Sequence, residues 1–321
     1  MESRQLGTSG LRVSRLGLGT LSWARSADTE DAANQLAAFV DAGGTLVDTA
    51  DLYADGEVER TLGTLLGKVV PRDRVVLATK AAARRADGPF GGGASRGSLL
   101  AALDGSLRRL GVDHVDLWQL HAWDGAVPVE ETLDTVEHVL ASGRVRYVGV
   151  CNYTGWQLAT AAASTARRRL VSVQSEYSLL ERGVEREVLP AAAHHGVGML
   201  PWAPLGRGVL TGKYRTGTPA DSRGASADYA GYVEQHRTDR AARIVEAVVT
   251  AADGLGVSPL AVALSWVRDR PGVVAPVVGA RDTTQLKGSL AAEDLVLPHA
   301  IRAALDDVSA IEFGYPERWP S

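Results

Sequence analysis

The chain has 321 residues, of which 45% are hydrophobic and 22% are charged, and this balance is typical of an ordinary globular protein. Its 34 basic and 38 acidic residues give a net charge of −4, which argues against binding to nucleic acid or to an anionic membrane. Cys151 is the only cysteine, so an internal disulfide and a cysteine-based zinc site are excluded. With no apolar leader and no apolar run of bilayer length, the sequence predicts a soluble, cytoplasmic protein.

The predicted strands follow a short N-terminal hairpin, whose turn is the Gly-Thr-Ser-Gly sequence at residues 7–10. Each strand is an apolar run without alternation, as expected for strands that are covered on both faces. The runs lie at residues 16–19, 45–48, 75–79, 115–121, 147–150, 171–174, 198–202 and 273–278.

Segments with helical periodicity lie between these runs, at residues 31–42, 57–66, 98–110, 130–141, 154–168, 282–291 and 298–310. A further helix is predicted to begin after Ser258, because Pro259 then occupies the first helical position. The pair Thr154 and Gln157 has the spacing of a capping box, and Gly111 follows the 98–110 helix as a terminating glycine.

Eight strands that alternate with helices indicate parallel βαβ units. A closed (β/α)₈ TIM barrel spanning residues 1–321 as a single domain explains both the number of strands and the length. An open doubly wound sheet is the alternative, but the residues after Gly17 and Gly19 break the glycine pattern expected there. Residues 83–97 and 215–231 read as long loops on the C-terminal face of the barrel, and extra helices follow at the C-terminus.

Polar side chains end three consecutive predicted strands, and in a parallel barrel those ends converge on one face. They are Asp48 with Tyr53 in the loop beyond it, Lys80, and His121. A lysine that is paired with a carboxylate keeps its charge and can tune a phenol as a general acid, while histidine can hold a carbonyl group. Taken singly, Asp48 fits a cap, Tyr53 a packing role and His121 a structural hydrogen bond, whereas Lys80 is harder to explain in this way because it ends an apolar strand. Their joint occurrence, in a chain with only four lysines, favours carbonyl reduction.

Four motifs resemble the aldo-keto reductase superfamily: LVDTADLY at 46–53, QLHAWD at 119–124, GVCNY at 149–153 and VQSEYSLL at 173–180. The resemblance covers nearly the whole chain. It implies a bacterial NADPH-dependent oxidoreductase that reduces an aldehyde or ketone to an alcohol. It also implies that Asp48, Tyr53, Lys80 and His121 form the catalytic tetrad, with Tyr53 as the proton donor.

The resemblance further implies a cofactor site along the strand ends. Its members are Gly19, Thr20, Asp48, Cys151, Asn152, Gln174, Trp202, Ala203, Pro204, Leu205, Gly206, Gly208, Lys213, Arg223, Gly279, Ala280, Arg281, Gln285 and Ser289. Among these, Asn152 and Gln174 are expected to hold the nicotinamide carboxamide, and Trp202 to stack on its ring. Arg281 is expected to bind the 2′-phosphate, which favours NADPH over NADH. Cys151 and Ser289 depart from the family pattern, which has serine and often asparagine there.

The predicted substrate residues are Trp23, Tyr53, Phe90, His121 and Trp123, with Tyr229 or Trp319 as further candidates. An aromatic mouth suits a hydrophobic or sugar-like small-molecule carbonyl compound. Packing of the loops explains Trp23 and Trp123 equally well.

Two other functions fit parts of the sequence: a Schiff-base aldolase with Lys80 as the nucleophile, and a cofactor-binding regulatory protein like the potassium-channel β subunits of the superfamily. A metal-dependent hydrolase is disfavoured, because no His-x-His pair ends an early strand, and no metal is expected. No pattern in the sequence sets an oligomeric state.

Overall fold

The computed structural model describes residues 1–23, 28–83, 88, 90–164, 170–220, 222–227, 230–315 and 317–318. The predicted N-terminal hairpin is present as an antiparallel pair, β1 (Ser3–Gln5) and β2 (Arg12–Ser14). Eight parallel strands follow: β3 (Gly17–Gly19), β4 (Leu46–Asp48), β5 (Val76–Ala81), β6 (Val115–Leu120), β7 (Val145–Cys151), β8 (Leu170–Glu176), β9 (Gly198–Trp202) and β10 (Val277–Gly279).

The strands form one sheet in the order β10-β3-β4-β5-β6-β7-β8-β9. A parallel bridge between Met199 and Val273 brings the segment before β10 against β9, so the two edges of the sheet meet. The barrel prediction is therefore confirmed, and the open doubly wound sheet is wrong. The end of β5 differs from the predicted strand end at residue 79. β5 runs through Lys80 to Ala81, so Lys80 lies within the strand and not at its end.

The helices surround the barrel: α1 (Thr29–Asp41), α2 (Glu57–Leu65), α3 (Arg96–Leu110), α4 (Val129–Ala141), α5 (Gly155–Ser164), α6 (Val188–His195), α7 (Ala230–Glu234), α8 (Asp239–Leu255), α9 (Pro259–Arg268), α10 (Thr283–Leu290) and α11 (His299–Val308). Every predicted helix is present, although residues 165–168 of one prediction lie outside the described residues. The prediction missed α7, whose first two residues it assigned to the 215–231 loop. It also missed α8, despite apolar residues at helical spacing and the N-cap Thr238, whose side chain accepts a hydrogen bond from the Ala241 amide.

The predicted helix ends are confirmed where their contacts are described. Ser258 accepts a hydrogen bond from the Ala261 amide ahead of α9, and Gly111 ends α3 in the left-handed conformation with φ of 66°. At α5, the Thr154 amide donates to Gln157 Oε1 over 2.9 Å, which is one half of the predicted capping box. These local contacts satisfy amide and carbonyl groups that a helix leaves without partners at its ends.

The hydrophobic core has two layers. The inner layer fills the barrel with side chains such as Leu46, Leu117 and Leu200, and the hairpin adds Leu6 and Val13 to it. The outer layer lies between the strands and the helices. The hairpin therefore closes the N-terminal end of the barrel, which leaves the C-terminal strand ends as the open face.

In the described part of the chain, no single helix is long and apolar enough to cross a membrane. Taken together, α8 and α9 have the length and apolar composition of a membrane-spanning helix, but the pair is bent by 104°.

Two leucines of α3 give a test of the outer layer of the core. Leu103 is fully buried, whereas Leu107 on the same helix is only partly buried. We expect Leu103→Ala to lower the free energy of unfolding by about 2–5 kcal/mol, because it removes buried methyl groups and leaves a cavity. Leu107→Ala should cost less. Urea unfolding of the two variants measures the difference, and equal losses would contradict the difference in burial between the two leucines.

Candidate active site

Lys80 lies at the centre of a polar cluster at the open end of the barrel. Its Nζ donates hydrogen bonds to Asp48 Oδ2 over 2.5 Å, to the backbone oxygen of Thr49 over 2.9 Å, and to the Tyr53 hydroxyl over 3.4 Å. Lys80 and Asp48 are buried, with exposed fractions of 0% and 3%. All three ammonium donors therefore have an oxygen partner, as a buried charge requires.

Adjacent strands carry this cluster. Asp48 ends β4, which pairs with β5, and Tyr53 begins a 3₁₀ turn (Tyr53–Gly56) just beyond β4. Within this turn Ala54 and Asp55 have φ of 46° and 55°, a left-handed conformation that non-glycine residues rarely adopt. The turn folds Tyr53 back over Lys80.

A second polar group behind the barrel wall supports this turn, and the sequence analysis missed it. Glu59 on α2 is fully buried, and it accepts hydrogen bonds from Thr79 over 2.6 Å and from Arg109 Nε over 2.7 Å. A Cβ on Gly56 would lie only 2.5 Å from Arg109 Nε, so the turn rests directly on the arginine. The signal was present in the sequence as an acidic residue at a buried position of an amphipathic helix.

The other oxygen of Asp48 accepts two side-chain amides. Gln119 Nε2 donates to Asp48 Oδ1 over 3.1 Å, and Gln174 Nε2 donates to the same atom over 3.0 Å. Gln119 is fully buried and pairs in register with Lys80. The sequence analysis gave Gln119 no role, although a polar residue between Trp118 and Leu120 of an apolar strand was a visible signal.

His121 follows β6 and lies beside the tyrosine. The Tyr53 and His121 rings meet edge to face, with 6.3 Å between their centroids. Burial, and to a smaller extent the positive charge of Lys80, lower the pKa of His121 to about 3. The imidazole is therefore neutral near pH 7 and can both donate and accept a hydrogen bond.

The protonation states of the cluster follow from burial and from Lys80. Burial raises the pKa of Tyr53, and the charge of Lys80 lowers it by a smaller amount, so the net pKa lies above its ordinary value. The tuning by Lys80 that the sequence predicts therefore has the expected direction but is outweighed by burial. Burial by itself would lower the pKa of Lys80, but Asp48 and Tyr53 together raise it. Burial also raises the pKa of the Cys151 thiol. At neutral pH the site therefore holds a charged ammonium beside a protonated phenol.

The residues proposed for the nicotinamide end lie next to this cluster. Asn152 Nδ2 donates to the backbone oxygen of His121 over 3.0 Å, and Asn152 Oδ1 accepts from Trp202 Nε1 over 2.9 Å. Thr20 donates its hydroxyl and its amide to the backbone oxygen of Asp48, each over 3.0 Å. The Trp202 ring is thus fixed in orientation at the end of β9.

The loop after β9 has an unusual backbone. Ala203, Gly206, Arg207, Gly208 and Gly212 all have left-handed φ values, between 49° and 91°. A Cβ on Gly208 would lie 3.2 Å from the Nζ of Lys213, whose side chain is exposed. Pro204 and Leu205 complete the loop, which thus combines close backbone approach with an available cation and suits a phosphate group.

The residues proposed for the adenosine end meet where β10 pairs with β3. Gly19 and Gly279 are register partners, and a Cβ on Gly279 would lie 3.9 Å from Nη2 of Arg223. The Arg281 amide donates to Gln285 Oε1 over 3.2 Å just before α10. Ala280 and Ser289 are buried; the Ala280 carbonyl accepts from Ser22 Oγ, and Ser289 Oγ donates to the Gln285 carbonyl over 3.4 Å.

Taken together, a strand-end tryptophan, a left-handed glycine loop with a lysine, and two arginines lie along the C-terminal edge from β9 to β10. These groups have the chemistry that a site for an aromatic ring and for phosphate groups needs. Among the described residues, no group of three or more histidine, cysteine, aspartate or glutamate side chains is placed to hold a metal ion.

The proposed substrate residues lie in different environments: one is buried, one is exposed and one lines a cleft. Trp23 is only 2% exposed and donates its Nε1 hydrogen to Gln35 Oε1, so it packs in the outer core layer. Phe90 is 61% exposed, and its ring lies against Gly97. Trp123 borders an open cleft of about 500 Å³, whose other lining residues are Ala82, Gly88, Gly92, Gly93, Asp124 and Gly125. Tyr229 and Trp319 lie outside the described residues.

Sequence comparisons show which known proteins this chain is similar to. The model of the Aldo/keto reductase family matches residues 15–310. The uncharacterized oxidoreductase YrpG from Bacillus subtilis (strain 168) is 36% identical over 320 residues, which covers 96% of each chain. A probable voltage-gated potassium channel subunit beta from Oryza sativa subsp. japonica is 34% identical and covers 100% of this chain and 99% of its own. The aldo-keto reductase YhdN from B. subtilis is 31% identical, covering 89% and 87%.

The lowered pKa of His121 predicts a pH dependence of stability. The unfolded chain has a histidine pKa of about 6.5, whereas the folded protein has about 3, so the unfolded state binds this proton first. The free energy of unfolding should therefore fall as the pH drops through this window, and by less in His121→Asn. Urea unfolding of both proteins at about pH 7 and about pH 4.5 measures the difference. A fall of equal size in both would refute the assignment.

Proposed function

This chain belongs to the aldo/keto reductase family, and on that premise we propose that it is an NADPH-dependent oxidoreductase that reduces an aldehyde or a ketone to an alcohol. The observation that carries the proposal is the buried contact of Lys80 with both Asp48 and Tyr53, beside a neutral His121. A bound nicotinamide would supply the hydride. The side chains of the chain itself supply the proton and hold the carbonyl group.

Tyr53 is the proton donor in this mechanism. Its raised pKa keeps the phenol protonated at neutral pH, so a proton is available when negative charge develops on the carbonyl oxygen. The phenolate left behind lies 3.4 Å from the ammonium of Lys80, which stabilises it by direct electrostatic attraction. The Lys80 contribution is therefore largest in the transition state and small in the resting enzyme.

His121 and Asp48 have supporting roles. The neutral imidazole can donate one hydrogen bond to the carbonyl oxygen without competing for the transferred proton. Asp48, fixed by Gln119 and Gln174, holds the Lys80 ammonium in place under the tyrosine. Preorganised charges of this kind need no rearrangement during the reaction.

Cofactor choice depends on the adenosine end. Arg223 Nη2 lies 3.9 Å from the position of a Cβ on Gly279, and Arg281 follows Gly279 by two residues in the chain. A guanidinium suits bidentate contact with a phosphate. This charge supports NADPH over NADH, with Lys213 at the pyrophosphate. Gln285 and Ser289 complete the adenosine side.

A second candidate is a cofactor-binding regulatory subunit. It is favoured by the similarity to the probable potassium channel subunit beta of rice, and it would retain the same dinucleotide site. The aldolase alternative is disfavoured, because a Schiff base needs a neutral lysine, whereas Asp48 and Tyr53 raise the Lys80 pKa. A small-molecule carbonyl substrate, a cytoplasmic location and a bacterial origin stay predictions from the sequence.

Substitution of the proton donor tests the reaction and separates the two candidates. Tyr53→Phe should lower kcat for aldehyde reduction by about 10²–10⁴-fold, because it removes the general acid. NADPH binding, followed by fluorescence titration, should change less than about twofold. Tyr147→Phe is the matched control, because the Tyr147 hydroxyl lies near Gly10 of the N-terminal hairpin, at the opposite end of the barrel. Absence of NADPH oxidation by the wild-type protein with a panel of aldehydes and ketones would favour the regulatory role.

Removal of one guanidinium tests the cofactor preference. Arg281→Ala should raise the Kd for NADPH by about 10- to 100-fold, because a hydrogen bond to a charged group contributes about 1.5–3 kcal/mol. The Kd for NADH should change much less. Arg108→Ala on the exposed side of α3 provides the control. Equal losses for the two cofactors would show that Arg281 does not bind the 2′-phosphate.

A further inference from the structure

A series of hydrogen-bonded side chains joins the loop after β3 to α10, and the mechanism above uses none of these contacts. Trp23, just beyond β3, donates its Nε1 hydrogen to Gln35 Oε1 on α1 over 3.1 Å. Gln35 Nε2 donates to Asp31 Oδ2 over 3.0 Å, one turn earlier on the same helix. Asp31 Oδ1 accepts from the amide of Thr283 over 3.1 Å and from its hydroxyl over 2.8 Å. These side chains form a connection across α1, the α1 bridge.

Arg281 lies in a short segment that is held on both sides. On its N-terminal side, the Ala280 carbonyl accepts a hydrogen bond from Ser22 Oγ in the loop after β3. On its C-terminal side, Thr283 is held by Asp31 through two hydrogen bonds. Arg281 therefore lies between two residues that are both fixed to the connection from β3 to α1.

The first turn of α10 also has contacts of its own. Asp282 Oδ1 accepts from the Gln285 amide over 2.8 Å, and Gln285 Oε1 accepts from the Arg281 amide over 3.2 Å. These bonds order the turn internally, but they do not fix its position relative to α1. That position depends on the packing of α1 against α10, in which Asp31 and Thr283 supply a polar contact.

The charge of Asp31 distinguishes a positioning role from a purely electrostatic one. A carboxylate near a bound phosphate repels it, so an effect of charge alone would make removal of Asp31 tighten the binding of an anionic cofactor. Both oxygens of Asp31, however, accept hydrogen bonds from protein groups on Gln35 and Thr283. If these bonds position the turn, removal of Asp31 has the opposite effect and weakens binding.

We propose that Asp31, supported by Gln35 and Trp23, is a positioning residue that holds the first turn of α10 so that Arg281 can bind the 2′-phosphate of the cofactor. The inference rests on the proposed function, since it assumes that Arg281 binds this phosphate. The preference for NADPH then depends on α1 as well as on the residues that contact the cofactor. Trp23, which packs in the core, contributes to cofactor binding through Gln35.

Asp31→Ala tests the α1 bridge at its centre. It removes the acceptors of Thr283, so the Kd for NADPH should rise by about tenfold, the effect of losing one hydrogen bond to a charged group. The Kd for NADH should rise by less than about threefold, and kcat at saturating NADPH should stay within about twofold, because the tetrad is unchanged. Asp31→Asn keeps Oδ1 as an acceptor and should retain part of the affinity. Fluorescence titration with each cofactor measures the Kd values.

Two further variants separate the bridge from the charge. Glu30→Ala is the matched control, because Glu30 precedes Asp31, carries the same charge and is exposed. It should leave the Kd for NADPH within about twofold of wild type, since a distant exposed charge is screened by salt. Gln35→Met breaks the bridge between Trp23 and Asp31 without removing a charge, and it should weaken NADPH binding in the same direction as Asp31→Ala.

A double variant separates positioning from a general loss of stability. In Arg281→Ala the guanidinium that Asp31 positions is absent, so adding Asp31→Ala should raise the Kd for NADPH by less than about twofold further. A change that only loosens the fold would lower the affinity by the same factor in both backgrounds. Urea unfolding measures the stability of each variant independently of the cofactor.

Several results would overturn the positioning role. They are unchanged or tighter NADPH binding by Asp31→Ala, equal losses for NADPH and NADH, an equal loss in Glu30→Ala, or the same loss in the Arg281→Ala background. If Asp31→Ala does not fold, Gln35→Met decides, because it leaves the carboxylate in place. A wild-type protein that does not bind NADPH overturns the proposed function itself. Binding that depends on Arg281 but not on Asp31 overturns the positioning role alone.

Discussion

The burial of one ammonium group is the constraint on which the rest of this structure depends. Lys80 is fully buried at the open end of the barrel, and an unpaired charge there would cost several kcal/mol. Asp48, the Thr49 carbonyl and the Tyr53 hydroxyl are the oxygens that satisfy it. Each of these must therefore be held in place by something else. The oxygen partners that stabilise the buried charge of Lys80 include the Tyr53 hydroxyl, so the ammonium lies beside this phenol.

The supports lie on both sides of the barrel wall. Inside, Gln119 and Gln174 fix the second oxygen of Asp48, so that its first oxygen faces Lys80. Outside, the buried pair of Glu59 and Arg109 is bonded to Thr79, the neighbour of Lys80, and lies under the turn that carries Tyr53. Because successive residues of a strand point to opposite faces, β5 places Thr79 and Lys80 in these two networks at once. Loss of either network would move the lysine and the tyrosine relative to each other.

The loop after β9, which we propose holds the cofactor phosphates, has a strained backbone in place of a buried polar cluster. Left-handed backbone recurs at Ala203 and Arg207 and in the glycines between them and beyond. The glycine at 208 adopts it readily and also leaves room for Lys213, whereas Arg207 needs its contacts with Glu176 and Tyr232. A loop that is held in this way is rigid while its contacts persist and can move once they open. By contrast, Asp48 and Lys80 lie within strands β4 and β5, and Tyr53 is held over Lys80 by the turn after β4.

The sequence by itself determined the barrel and the identity of the four central residues. Apolar runs report burial on both faces, and polar residues at their ends report the open face, so both signals are local. Whether the Tyr53 pKa lies above or below its ordinary value could not be read from local sequence, because the answer depends on how burial and the Lys80 charge compare in the folded state. Only the tertiary structure brought Gln119 to Asp48, Arg109 to Glu59, and Arg207 to Glu176 and Tyr232. Those pairs lie far apart along the chain, and hydrogen bonds between distant segments depend on side-chain positions that no periodicity in the sequence records.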